Sequence, residues 1–481
     1  MHAPLKHGFA PWQSAASLNP APKRHVLLRA GEIEALKIRI GSNEPRASAY
    51  FDALSFAVPT WRSATPRAPE RFQVAPFYQD ASGHRQEKGK ILHDATAAYG
   101  LALHFRLAGD DMSARAAVRF LRPWFESVAY TTDPETCLVL SYTFPILIYA
   151  ADLLDPAPLA IWTQNDREKF SAFLGSTLLD FNTSERANNW GNWGNLLRMS
   201  IAAYRDDRVL FDLTVDRHKE LIRDQIGTEN QFIHEVVRNQ GRGEQGIGYS
   251  HFALGPLAMS AQIALGRGVD LFNYVSPNGR SMEPAWRQLA AWTAAPETFP
   301  YFKERNGSEM ENVTTIDFDF FDRTTTGLFP IRMGYFELLQ KRWPVRAAEE
   351  ILAETGPQGL DVTGTQWVGL MHSGPVQAGV PSVVKTLGVD GIFRGKVKLI
   401  WEYADAGVTH FEIERRSASG AWEALATPDA VARSFIDEAS IAAATEYRIR
   451  AVSSIGSSPF WSGPAATGES GFLRKKKSAR D

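Results

Sequence analysis

The sequence predicts a mainly α-helical chain whose helix hairpins close into a ring, followed by an all-β sandwich. Three observations carry this. From Gly31 to about residue 354, apolar residues recur at steps of three and four; short glycine and aspartate breaks divide them; beyond Gly374-Pro375 the period falls to two.

Residues 1–26 hold Pro4, Pro11, Pro20 and Pro22 without an apolar period, the pattern of an extended arm. Between Lys88 and Leu107 the residues Ile91, Leu92, Ala95, Ala98, Tyr99, Ala102 and Leu103 form one stripe of an amphipathic helix, closed by Gly109-Asp110. Ala117, Phe120, Leu121, Trp124, Phe125 and Val128 form the next stripe, so the two pair as an antiparallel hairpin. Further helices are expected at 138–154, 166–180, 190–204, 214–226, 250–265, 281–294 and 334–354. Such a run is too long for one bundle, and no repeat of about 30 to 45 residues is found, which favours a ring over a solenoid. Pro296, Pro300 and Asp317 to Asp322 interrupt it, a long irregular stretch of the kind that flanks clefts. The expected units are an arm (1–26), a helical domain (27–375), a linker (376–383), a β-sandwich (384–468) and a basic tail (469–481). The β-sandwich rests on alternation at Val397, Leu399 and Trp401, at Phe411 and Ile413, and at Tyr447, Ile449 and Ala451.

Composition bounds the function. A chain of 481 residues with 44% hydrophobic and 22% charged residues is globular and long enough for two cores. A net charge of -2 gives no global attraction to nucleic acid or an anionic membrane, so a polyanion would have to be met by a local basic cleft. The single cysteine, Cys137, lies in an apolar run and reads as a buried inert thiol. No apolar run is expected to reach the roughly 18 residues of a membrane span, and the first residues lack the pattern of a secretory signal. Metal-ligand spacings such as His-x3-His are missing, and neither metal nor cofactor is expected.

Two stretches point to chemistry. Asn188, Asn189 and Asn192 lie beside Trp190 and Trp193; further on, Arg242 precedes Tyr249 by seven positions. Amide N–H groups hold a carboxylate and an indole face stacks on a pyranose, so the first stretch suits an acidic sugar. The plainer reading makes the asparagines helix caps and the tryptophans core. Gly241-x-Gly243-x-x-Gly246 matches a dinucleotide fingerprint by its letters alone, because it follows no strand of a βαβ unit.

Taken together, Tyr99 to Gly109 with Trp124, Asn188-Asn189-Trp190, Arg242-x6-Tyr249 with Phe252-Ala-Leu254, and Gly268 to Phe272 resemble the alginate lyase superfamily, notably its mannuronate- and glucuronan-cleaving members. The resemblance implies an (α/α) toroid, an acidic polysaccharide as partner and a periplasmic or secreted location, with the cytoplasm left open. It implies that Asn189 and Arg242 neutralise the substrate carboxylate and that Tyr249 is the catalytic tyrosine. Asn188, Trp190, Asn192, Trp193 and His251 are the expected substrate-binding neighbours. Trp190 stands where the mannuronate lyases carry histidine; His251, His234 and His93 are the candidates to supply that role. Val397 to Trp401, Phe411 to Arg415, Phe435-x-Asp437 and Thr445 to Ala451 resemble a fibronectin type III module, with Trp401 as core indole and Tyr447 as corner tyrosine.

Cleavage of a 4-linked polyuronate by β-elimination removes the C5 proton, which is acidic enough only when donors or cations neutralise the adjacent carboxylate. A base takes that proton and an acid protonates the departing O4. Tyrosine, with an ordinary pKa of about 10, needs nearby positive charge to act as the base. One tyrosine doing both steps works from one face of the ring, a syn elimination suited to mannuronate or glucuronate. Two rivals stand beside this: a glycoside hydrolase on a uronate-containing polymer, with Glu235, Glu244, Asp317, Asp319 and Asp322 as carboxylates, and a carbohydrate-binding protein without activity.

Overall fold

The computed structural model describes residues 26–28, 32–236, 243–295, 298–305, 308–309, 334–355, 364–372, 384, 386–393, 396–403, 408–417, 420–439, 445–453, 456–457 and 462–467. The expected arm before Val26, the basic tail and the expected linker lie outside these residues.

The chain begins with α1 (Glu32–Gly41) and α2 (Pro45–Ser63). A segment bearing β1 (Arg71–Phe72) leads to α3 (Ala81–Ala108), which Asp80 caps by accepting the Gly83 N–H and which Gly109 ends at φ +72°. A two-residue turn then starts α4 (Asp111–Glu126), followed by β2 (Ala129–Tyr130), the parallel partner of β1. α5 (Pro134–Leu154) has Pro at its first position and Asp133 as cap, the pairing that an N-terminus favours. By length and composition α5 would span a bilayer, which corrects the expectation that no run is long enough; all of that apolar window is buried inside the protein.

α6 (Gln164–Ser176) opens with a capping box between Thr163 and Asp166. α7 (Asn189–Arg205) and α8 (Arg208–Gln225) are joined by two residues, the first of which, Asp206, takes the left-handed conformation. α9 (Gly243–Gly266) and α10 (Met282–Ala294) follow. β3 (Glu304–Arg305) pairs with β4 (Ser308–Glu309) inside the stretch expected to be irregular; Asp317 to Asp322 lie outside the described residues. Where one helix was expected at 334–354 there are two, α11 (Phe336–Arg342) and α12 (Arg346–Thr355), because Pro344 cannot continue the backbone ladder. α13 (Val368–His372) closes the helical part.

Contacts fix the direction of the long inner helices. His84 faces Glu135 at 3.8 Å and Tyr99 meets Tyr149 with ring centroids 5.8 Å apart, so α3 and α5 run the same way. Tyr142 meets Trp193 at 6.0 Å, and three residues further along each helix Pro145 and Leu196 both border Gly364, so α5 and α7 are parallel. Asn192 Nδ2 donates to Ala253 O at 2.9 Å and Arg267 donates to Ala203 O, which makes α7 and α9 parallel too. The N-terminal ends of α3, α5, α7 and α9 therefore share one end of the domain. Outside them, Arg122 of α4 pairs with Asp166 of α6 through two 3.0 Å bonds. The last helices return to the first: Glu337 of α11 is buried against Arg46 and accepts from Tyr50 Oη at 3.1 Å, and a Cβ on Gly369 of α13 would lie 2.1 Å from that hydroxyl.

The strand-rich part has its own core of Val397, Leu399, Trp401, Phe411, Ile413, Tyr447, Ile449 and Ala451. One antiparallel sheet runs β5 (Thr386–Phe393), β6 (Lys396–Glu402), β9 (Ser434–Asp437). The other runs β11 (Gly456–Ser457), β10 (Thr445–Ser453), β7 (Val408–Ser417), β8 (Glu423–Ala426), with β12 (Ser462–Ala466) also on β10. Trp401 and Tyr447 lie in this core as the alternation predicts, and Tyr447 Oη donates to buried Asp437 at 3.0 Å.

Removing one partner of a buried ion pair strands the other. Glu337→Ala is expected to destabilise the helical domain by about 3 kcal/mol, read by chemical denaturation. Replacing both Arg46 and Glu337 by apolar residues is expected to recover most of that loss.

Candidate active site

Tyr249 sits in the second turn of α9, half-buried, with its hydroxyl 3.2 Å from that of Tyr78, which is 72% exposed. Tyr78 was missed by the sequence reading. Its segment is held from several sides: Asp94 accepts the Arg67 N–H, Thr136 Oγ1 accepts the Val74 N–H at 2.8 Å, and His84 Nδ1 donates to Ala75 O at 3.0 Å. Burial lowers the His84 pKa, which favours the neutral ring, and the proton on Nδ1 serves that bond. The available signal was an aromatic pair, Phe77-Tyr78, directly after Pro76 in a link between two helices.

The asparagines of α7 form a polar stripe. Asn188 is the cap, its side chain accepting the Trp190 N–H at 3.2 Å. Asn189, Asn192 and Asn195 follow at three-residue spacing on one face, and all three are buried. Asn189 gives its backbone N–H and its Nδ2 to the carboxylate of Glu235, at 2.8 and 2.7 Å. Asn192 exchanges hydrogen bonds with the Gln225 amide at 2.9 and 2.7 Å, and Asn195 Nδ2 donates to Thr214 O at 3.0 Å. Because Asn192 touches Ala253, and Asn189 and Tyr249 each lie one turn nearer the N-terminal ends, those two occupy the same level of neighbouring helices.

Several expectations are corrected here. Asn192 and Trp193 are core residues, 1% exposed, and do not face a cleft; Trp193 packs on Tyr142 and Phe252. His251 is fully buried, with Nδ1 on Tyr335 Oη and Nε2 on Thr293 Oγ1, both at 2.8 Å. Asn188 is committed to its helix. Asn189 lies inside rather than on an open wall. Glu235, a suspected hydrolytic carboxylate, is 1% exposed and engaged with Asn189. Trp190 is half-buried with the Arg186 guanidinium 5.6 Å over its ring, the one indole of the pair that reaches solvent. His93 donates or accepts at Asp94 at 2.8 Å, and His234 is exposed. Arg242 lies outside the described residues, as does the side chain of Glu244.

A cavity of 800 Å³ opens at the same end of the domain, beside the starts of α3 and α5. Asp80, Glu87, Asp133 and Glu135 outnumber Arg71 and Lys90 on its walls, which disfavours a polyanion, and none of the site residues named above lines it. Among the described residues no group of three or more His, Cys, Asp or Glu is arranged to hold a metal ion.

A family model described as alginate lyase matches residues 44–299. The chain belongs to the alginate lyase family. Two curated relatives, alginate lyases of Pseudomonas fluorescens (one from strain SBW25), are each 28% identical over 127 residues, 26% of this chain and 31% of theirs. The matched stretch thus spans about a third of those relatives. Among solved structures, an alginate lyase from Bacteroides ovatus superposes with a TM-score of 0.54 at 16% identity, covering 73% of this chain and 100% of its own. Alginate lyase A1-III from a Sphingomonas species gives 0.54 at 16% identity, covering 73% and 98%; a tyrosine-to-phenylalanine variant of A1-III complexed with tetrasaccharide gives 0.51. At such identity these structures establish a shared fold.

A buried amide left without its partner costs about 1–3 kcal/mol. Asn192→Leu, which strips the buried Gln225 Oε1 of its donor, is expected to lower stability by that amount in chemical denaturation. Asn188→Ala, which removes a cap, is expected to cost about 1 kcal/mol.

Proposed function

We propose that the protein is a polysaccharide lyase that cuts a 4-linked polyuronate of the polymannuronate or glucuronan type by syn β-elimination. One observation carries this reading: a half-exposed phenol, Tyr249, stands at the end of the domain where the inner helices begin, level with the amide of Asn189 and touching the hydroxyl of Tyr78. Membership of the alginate lyase family supports the acidic substrate, and A1-III, similar in fold, is an alginate lyase seen with a tetrasaccharide.

In this reading Tyr249 takes the C5 proton and returns it to O4, while Tyr78 positions the Tyr249 hydroxyl. Asn189 and Arg242 neutralise the uronate carboxylate. Asn189 keeps one Nδ2 hydrogen beyond the one given to Glu235, and its Oδ1 has no hydrogen-bond partner. Its burial requires that its cover shift when substrate enters, a rearrangement common on binding. The caps leave little bare helix charge at this end, since Asp80 and Asp133 already occupy the starts of α3 and α5, so recognition of acid groups falls to side chains. Trp190 with Arg186 offers an indole and a cation for a neighbouring sugar ring.

The helical part is read as an incomplete (α/α) toroid over residues 27–375 and the strand-rich part, 384–468, as a fibronectin type III module. A periplasmic or secreted location belongs to the same proposal.

Ultraviolet absorbance of the conjugated C4=C5 uronate separates elimination from hydrolysis, which yields reducing ends alone. Polymannuronate or glucuronan is expected to give that absorbance and polyguluronate is not; the reverse pattern rejects the syn assignment. Tyr249→Phe is expected to lower turnover by about 10²- to 10⁴-fold at unchanged melting temperature, and normal turnover in that variant removes the acid–base assignment.

A further inference from the structure

Glu235 is a carboxylate sealed inside the protein, 1% exposed, in the turn that precedes α9. Its two oxygens take different hydrogens of one residue: Oε1 accepts the Asn189 backbone N–H at 2.8 Å and Oε2 accepts Nδ2 at 2.7 Å. Each contact does separate work. The first ties the turn to the first residue of α7. The second sets which edge of the carboxamide faces which way: Oε2 accepts, so the amide nitrogen lies toward Glu235. Without such a partner nothing in the surroundings fixes whether the amide presents its donor or its acceptor to a ligand. The same turn sets the placement of Tyr249: a Cβ on Gly246 would meet Val236 O at 2.5 Å, so the first turn of α9 rests directly on the backbone beside Glu235.

We propose that Glu235 is a positioning residue of the lyase reaction, holding the Asn189 amide in the orientation that receives the uronate carboxylate and fixing its spacing from Tyr249. This rests on the lyase reading given above. Glu235 has no acid–base part in it; it acts through Asn189.

The consequence is a coupling. If Glu235 works through Asn189, it becomes dispensable for catalysis once Asn189 is gone. Glu235→Gln keeps size and shape but offers one donor where two acceptors stood, so the Asn189 amide loses its fixed sense. Its effect is expected in kcat, about 10- to 100-fold down, with KM changed less than about threefold and the melting temperature near that of the unaltered protein. Asn189→Ala is expected to be slower still, and the double variant no slower than Asn189→Ala alone, the signature of two residues acting as one unit.

The experiment is the four-member cycle of the full chain, Glu235→Gln, Asn189→Ala and both, assayed for unsaturated product on polymannuronate and glucuronan with melting curves alongside. Activity in the unaltered protein is the control for the lyase reading itself, so its failure is distinguishable from failure here. Wild-type kcat in Glu235→Gln overturns the proposal. So does an additive loss in the double variant, which would give Glu235 a role independent of Asn189. Should Glu235→Gln fold poorly, Glu235→Asp keeps the carboxylate but withdraws it by one methylene; reduced kcat at retained KM supports the proposal, and unchanged kcat refutes it.

Discussion

The common direction of α3, α5, α7 and α9 is the constraint on which the site depends. Each inner helix is followed by an outer one that brings the chain back, so every inner helix starts at the same end. The turns that allow this are short and chemically specified: Gly109 at positive φ with Asp110 as the next cap, and Asp206 with Asp207. Residues far apart in sequence, in the link before α3, the start of α7 and the start of α9, meet there because the helices begin there. Tyr78 and Tyr249, 171 positions apart, are in hydrogen-bond contact for that reason.

Polar residues in the interior hold the helices in register. The Asn192–Gln225 amide pair, Asn195 on Thr214 O and Glu235 on Asn189 lie where apolar packing alone would permit sliding. A displaced register would leave each of these groups unpaired in a dry environment, so they specify one alignment. Close backbone approach does the same at Gly194, where a Cβ would lie 2.2 Å from Ser184 N. Apolar α5, buried from Thr136 to Leu154, supplies the area; the polar contacts supply the alignment.

Much of the fold was legible from periodicity, since amphipathic stripes such as Ile91 to Leu103 and the alternation Val397, Leu399, Trp401 are local properties. The site was legible in part. Tyr249 and Asn189 were singled out, yet the sequence does not say which face of α7 looks inward. Asn192 and Trp193 were therefore read as substrate neighbours although both are buried in the core, and His251 is buried with two hydrogen bonds. Glu235 was flagged for the charge it carries, but its use is set by a contact 46 positions away that no local pattern encodes. Tyr78 escaped notice because a lone phenol in a link between helices gains meaning only when the opposite helix is in place.

The most direct test of the account is a crystal structure of the Tyr249→Phe protein soaked with a mannuronate or glucuronate tetrasaccharide. The account predicts a uronate ring at the N-terminal end of the inner helices, its carboxylate against Asn189, and its C5 and O4 on one face within about 4 Å of where the lost hydroxyl stood. A sugar chain bound elsewhere, or one presenting C5 and O4 away from position 249, would contradict it.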